Sequence, residues 1–155
     1  MSSIRAKRYH DISCGHRVHG HESACAKLHG HNYRIHFTVE ASDGELDDIG
    51  RVLDFSVIKS RLCQWLEDNW DHKFLAWEHD PIMNQLHQLV TGRMPLADSL
   101  LVQQSIVWVP FNPTAENMAQ YLCEEIGPAR LEGTSCKLVS VMIEETMKCH
   151  AEFSL

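Results

Sequence analysis

The chain has 155 residues, 44% of them hydrophobic, and a formal net charge of −7 with histidine neutral. That size suits a single domain, residues 1–155, whose core needs no disulfide staples, and the acidic balance argues against a nucleic-acid-coating protein. The first residues, MSSIRAKRYH, carry no apolar signal core, and the longest apolar runs, near IVWV and LVSVMI, are far too short to cross a bilayer. A cytoplasmic protein with no membrane or nucleic-acid partner is therefore expected.

Residues 4–16 alternate loosely, with Ile4, Ala6, Ile12, Cys14 and His16 on one parity, which predicts a strand. Residues 17–26 have little periodicity and read as a loop. From 27 to 41 the odd positions His29, His31, Tyr33, Ile35, Phe37 and Val39 predict a second strand with one apolar face, and SDG at 42–44 a turn. From Asp54, a capping residue, Ile58, Leu62, Trp65 and Leu66 recur at helical spacing. A second helix is expected over 80–92, with Ile82, Leu86, Leu89 and Val90 on one face. A short strand follows at 105–109. PTAENMAQYLCEEIGP then predicts a helix capped by Thr114, with Glu116 in its first turn and a stop at Gly127-Pro128. Val139, Val141, Ile143 and Glu145 share one parity of a further strand, and Ala151, Phe153 and Leu155 alternate to the end. Strands, then helices, then strands make an α+β domain with an antiparallel sheet.

The eleven histidines stand out, five of them between positions 16 and 31. His29 and His31 are two apart on a strand, so both project to one face, about 7 Å apart along the chain. They open the face that Ile35 and Phe37 continue, whereas His36 has the opposite parity and is excluded. His19-Gly20-His21 repeats the tripeptide in a loop that fixes no side-chain direction. His16 closes the first strand with the parity of Ile12 and Cys14, which makes it the third candidate ligand. Three neutral histidines with an open fourth position suit a catalytic Zn2+. The six cysteines match neither a zinc-ribbon nor a disulfide spacing, and most read as small buried hydrophobes.

CAKLHGHNY (25–33), GRVLDF (50–55), WDHKFL (70–75), NPTAEN (112–117) and IEET (143–146) occur in order. Together they resemble the family of 6-pyruvoyltetrahydropterin and 6-carboxytetrahydropterin synthases, from about residue 4 to the end. The resemblance implies a tunnelling fold (T-fold): a four-stranded antiparallel sheet with two long helices packed on one face, here with an inserted helix around 80–92. It implies a homo-oligomer, typically a hexamer, with active sites between subunits. It also implies His16, His29 and His31 as zinc ligands, in agreement with the parity argument. By motif, Cys25 is the implied catalytic cysteine, Asp71 and His72 its acid–base partners, and Glu145 the carboxylate that anchors the pterin. Thr114 and Glu116 are implied beside the pterin pocket. The parity of Glu145 independently points it to the apolar side, where a carboxylate needs donors.

The implied substrate is 7,8-dihydroneopterin triphosphate, whose side-chain hydroxyls suit a Lewis-acidic metal. A free thiol is mostly protonated at neutral pH, so Cys25 needs a basic partner or the cation beside it. Cys25 lies four positions before the first histidine of HGH, a spacing like that of the carboxy-forming branch, which releases acetaldehyde and triphosphate on the way to queuosine-type deazapurines. The pyruvoyl-forming reaction is the alternative within the family, and a non-catalytic zinc-binding oligomer the alternative outside it. A metallohydrolase is disfavoured because no H-E-x-x-H helix exists. Arg17, Lys27 and Lys73 adjoin the candidate residues and are weaker candidates for meeting the triphosphate.

Overall fold

The computed structural model describes residues 3–155. Six strands form one sheet: β1 (Arg5–His16), β2 (His29–Ala41), β3 (Phe74–Trp77), β4 (Ile106–Val109), β5 (Cys136–Thr146) and β6 (Cys149–Ser154), in the order β4-β3-β1-β2-β5-β6. The helices are α1 (residues 55–69), α2 (Pro81–Thr91), α3 (Leu96–Ser105) and α4 (residues 115–131). None of them is long and apolar enough to cross a membrane.

The expected four-stranded antiparallel sheet is present as β1, β2, β5 and β6, but the sheet is six-stranded and mixed. Strands β3 and β4 extend it from the free edge of β1, pairing in parallel at Gly15–Phe74 and Phe74–Ile106. Parallel neighbours cannot be joined by a tight turn, and the α2–α3 crossover supplies the connection. β3 reads FLAW, with Leu75 and Ala76 both buried, so it has no alternation to betray it.

Helices α1 and α4 cover one face of the sheet. Tyr33, Ile35, Phe37 and Val39 of β2 meet Ile58, Leu62 and Leu66 of α1 and Met118, Leu122 and Cys123 of α4, all at most 1% exposed. Asp54 caps α1 through the Ser56 N–H (2.8 Å), and Thr114 caps α4 through the Asn117 N–H (3.2 Å). Each long helix contains one π-turn, at Lys59–Cys63 and Leu122–Ile126. The second overturns the expected stop at Gly127-Pro128. Pro128 falls in the first turn of the segment that follows, where a missing N–H is tolerated, and α4 runs on to Leu131. Gly127 lets the helix approach β5, since a Cβ there would sit 2.6 Å from Leu138 Cδ2.

One parity reading needs correction. A bulge in the β2–β5 ladder between Thr38 and Val39 shifts the register, so Cys136 and Leu138 face the core before it and Val141 and Ile143 after it. Glu145 lies toward His31 as expected, at a second register shift, between Glu144 and Thr146 in the β5–β6 ladder. Helix α2 forms where expected, capped by Asp80, but Ile82, Leu86 and Leu89 are exposed and only Met83 is buried. Its apolar face is uncovered among the described residues.

Candidate active site

The β1–β2 hairpin builds the histidine cluster. Its register sets His16 opposite His29 and Cys14 opposite His31, so three imidazoles of one parity converge where the strands open into the 17–28 loop. One nitrogen from each ring lies within 4.8 Å of the others. Gly15 and Gly30 pair between them. A Cβ on Gly15 would strike the Phe74 ring at 2.6 Å, and one on Gly30 would crowd the Cys14 carbonyl at 3.0 Å.

The hydrogen bonds define the tautomers. His16 Nδ1 lies 2.7 Å from the Pro113 carbonyl and His29 Nδ1 2.7 Å from the Lys27 carbonyl, so each must donate there. Both Nε2 atoms then carry lone pairs when the rings are neutral, and they face one another at 3.1 Å. Burial holds the pKa of His16 and of His31 below the usual histidine range, which favours this neutral form. His31 Nε2 is buried without a hydrogen bond; Glu145 Oε1 is 3.2 Å away but off the line a bond needs. One shared proton would serve two of the three nitrogens and leave the third unpaired. A cation serves all three, and nitrogens about 2.0–2.1 Å from a tetrahedral Zn2+ lie about 3.3 Å apart. The donor set therefore fits zinc. The Tyr33 hydroxyl lies 3.1 and 3.3 Å from the two nitrogens of His16, and burial drives its pKa upward, so it stays a phenol.

A cavity of about 330 Å³ is lined by Cys25, Thr114, Glu116 and Glu145, together with His21, Cys149 and His150. Four expected site residues are thus brought together. Glu145 links the cavity to the cluster through its approach to His31, while Glu144 turns to the other face and bonds His36 at 2.9 Å. Cys25 sits half-buried on a short 3-10 turn, Ala24–Ala26. Cys14, though nearer the ligands in the ladder, is held inert, its thiol pushed up to about 12 by burial.

Asp71 and His72 stand apart from Cys25. They follow α1 and clasp the edge of β1: Asp71 Oδ1 accepts the Ser13 N–H at 2.9 Å, and the His72 N–H donates to the Ser13 carbonyl at 2.7 Å. They line a different cavity, of about 800 Å³, with Asp11, Asn32, Arg34 and Glu144, and His72 also borders a cavity beside His31 and Lys73. His72 Nδ1 lies 2.9 Å from Asp71 Oδ2, yet its side chain is 83% exposed, and its φ is 57°. Left-handed backbone at a non-glycine residue costs about 1–3 kcal/mol and concentrates at functional positions.

The sequence profile of the 6-pyruvoyl tetrahydropterin synthase family matches residues 5–155. The chain belongs to this family. It is 32% identical over 149 residues to the 6-carboxy-5,6,7,8-tetrahydropterin synthase of Rickettsia felis, covering 96% of this chain and 99% of that protein. A probable 6-carboxy-5,6,7,8-tetrahydropterin synthase of Halobacterium salinarum is 33% identical over 135 residues, covering 87% and 76%. Among solved structures, an uncharacterized protein from Wolinella succinogenes superposes with a TM-score of 0.82 at 25% identity, with 97% of each chain covered. The 6-pyruvoyl tetrahydropterin synthase of Caenorhabditis elegans superposes with a TM-score of 0.64 at 22% identity, covering 100% of this chain and 97% of that one, and shares the T-fold.

Within this synthase-family site, several contributors escape a reading of the sequence. The Pro113 and Lys27 carbonyls orient the His16 and His29 rings, but a backbone acceptor leaves no mark on residue type. Asn112 takes both the N–H (3.0 Å) and the carbonyl (2.9 Å) of His19, and the NPTAEN motif was the available signal for it. Arg17 is withdrawn from phosphate binding because it is 4% exposed and paired with buried Asp80. Lys27 is exposed, and Lys73 lines the rim by Ser13 and His31.

Proposed function

We propose that this chain, acting as one domain over residues 1–155, converts 7,8-dihydroneopterin triphosphate to 6-carboxy-5,6,7,8-tetrahydropterin. Acetaldehyde and triphosphate are released, in the cytoplasm and on the way to queuosine-type deazapurines. The observation that carries this reading is the union of Cys25, Thr114, Glu116 and Glu145 in one cavity, with Glu145 3.2 Å from His31 of the three-histidine cluster. Relatives of nearly the same length that carry the carboxy-forming name support the choice of product.

His16, His29 and His31 would hold Zn2+, which supplies Lewis acidity toward the substrate's side-chain hydroxyls. Glu145 offers two carboxylate oxygens to a pterin's amino group and ring N–H, and this orients the ring in the cavity. The Thr114 hydroxyl accepts the Asn117 N–H and keeps its own proton free to donate to the ligand. Glu116, in the first turn of α4, lies beside it at the cavity wall. Cys25 acts as general base at a side-chain carbon once its thiol is deprotonated. His72, oriented by Asp71, exchanges that proton.

Cys25 and His72 lie at separate cavities of one chain, so His72 serves the Cys25 site of a neighbouring copy. The exposed, strained setting of His72 supports an intermolecular role, and a homohexamer satisfies it. Incubating the zinc-loaded protein with dihydroneopterin triphosphate and identifying products by mass tests the reading. Carboxytetrahydropterin with acetaldehyde is expected. A pyruvoyl product moves the chain to the sister reaction, and no consumption by intact, zinc-loaded protein overturns both.

A further inference from the structure

The 17–28 loop that carries Cys25 has one short turn of regular structure, and its anchors come from the segment inserted between α1 and α4. Arg17 Nε donates to the Ala26 carbonyl at 2.9 Å, and its Nη1 pairs with the Asp80 carboxylate. Both side chains are buried, at 5% and 1% exposure. The other Asp80 oxygen accepts the N–H groups of Ile82 (3.0 Å) and Met83 (3.3 Å), so one carboxylate starts α2 and holds Arg17. Ala26 is the peptide neighbour of Cys25, whose own carbonyl accepts the Val18 N–H at 2.8 Å. His19 adds a third tie: Asn112 holds its backbone, and its ring lies against Trp77 of β3 at 5.7 Å.

A buried ion pair is a weak source of net stability, because desolvating both charges offsets their attraction. What it supplies here is geometry. The planar fork of arginine can hold a carboxylate and a carbonyl at once in fixed directions, which an apolar pair of equal volume cannot.

We propose that Arg17 and Asp80 are positioning residues that set the Cys25 thiol in its cavity, so that the inserted unit governs the reactivity of the base. This rests on Cys25 being the base of the proposed reaction. Two conservative variants test it. Arg17→Lys keeps a cation opposite Asp80 but gives up the fixed fork to Ala26. Asp80→Asn keeps a good helix cap and gives up the charge.

Zinc-loaded, assembled proteins are compared for kcat and KM with dihydroneopterin triphosphate. The rate of iodoacetamide alkylation at Cys25 is read by peptide mass spectrometry, with exposed Cys149 of the same cavity as internal reference. Each variant is expected to lose about tenfold or more in kcat with KM within about twofold, as misplacement of a reacting group does. Alkylation at Cys25 shifts about threefold or more while Cys149 is unmoved. Wild-type kcat and wild-type Cys25 alkylation in both variants overturn the proposal, as do losses that merely track zinc content or melting. Should Arg17→Lys fail to fold, Asp80→Asn decides. If the wild-type protein does not consume the substrate, the functional reading falls alone and the alkylation comparison still decides the tether.

Discussion

The two faces of the β2–β5 ladder carry the same pair of residue types and treat them oppositely. On the outer face His36 and Glu144 are joined by a 2.9 Å hydrogen bond. Beside them Arg34 makes two bonds to Asp11, at 2.8 and 3.0 Å, and lies 4.1 Å over the Tyr9 ring. On the inner face His31 and Glu145 are 3.2 Å apart without bonding, and two imidazole lone pairs meet nearby. The outer face has solved its electrostatics with its own side chains. The inner face leaves the buried His31 Nε2 without a hydrogen-bond partner among the described residues.

The largest expected contrast is in metal content. His31→Ala is expected to reduce bound zinc from about one per chain to under about a tenth and to abolish turnover, since it removes one of three protein ligands. His36→Ala should keep the metal and cost at most about 1 kcal/mol of stability. Metal analysis of both variants breaks the comparison if their order is reversed. Next, Cys25→Ala should lower turnover by about 10²–10⁴-fold with zinc and assembly retained, measured by steady-state rates. A silent Cys25→Ala would favour the non-catalytic zinc protein.

Mixing sharpens the separation of Cys25 from His72. Cys25→Ala and His72→Ala are each expected to be nearly inactive, and subunits unfolded together and reassembled should recover activity well above either parent. If the mixture stays inactive, the sites do not draw on two copies. Asn112→Ala strips both bonds from the His19 backbone and should destabilise the protein by about 1–3 kcal/mol in denaturant unfolding.

The smallest effect concerns Asp71. Burial raises its pKa, but the Ser13 N–H and His72 outweigh burial and hold it below the ordinary 3.8. Because the folded value lies below the unfolded one, its contribution is full above the ordinary carboxylate range and lost as pH falls through the folded value. Asp71→Asn should therefore flatten the acid limb of stability against pH, and an unchanged limb would remove Asp71 from the β1 clasp.

Much of the site was legible because strands write their geometry in period two. The parity of residues 29–41 was enough to separate His29 and His31 from His36, and the parity of β5 beyond its bulge separated Glu145 from Glu144. The two HGH tripeptides were not distinguishable as tripeptides; the strand under the second aims both imidazoles into the histidine cluster, while the first packs His19 against Trp77. Caps at Asp54 and Thr114 and the expected helix over 80–92 marked three helices correctly. Illegible were β3, whose four residues are apolar on both faces, and α3, which starts at Pro95 without a side-chain cap and leaves Leu96, Leu100 and Leu101 exposed. The partner of Arg17 was hidden too, because 63 residues separate it from Asp80 and no local pattern spans that distance.

The glycine pair at positions 15 and 30 carries a consequence for mutational scanning. Neither residue offers a functional group, yet a methyl at Gly15 has to displace Phe74, on which the β1–β3 pairing depends, and a methyl at Gly30 presses on the Cys14 carbonyl between two ligands. In a saturation library scored for activity, these columns should be as depleted as those of the histidines beside them. They would pass for chemistry in such data, and alanine variants that keep the fold but lose metal would reveal them as spacers.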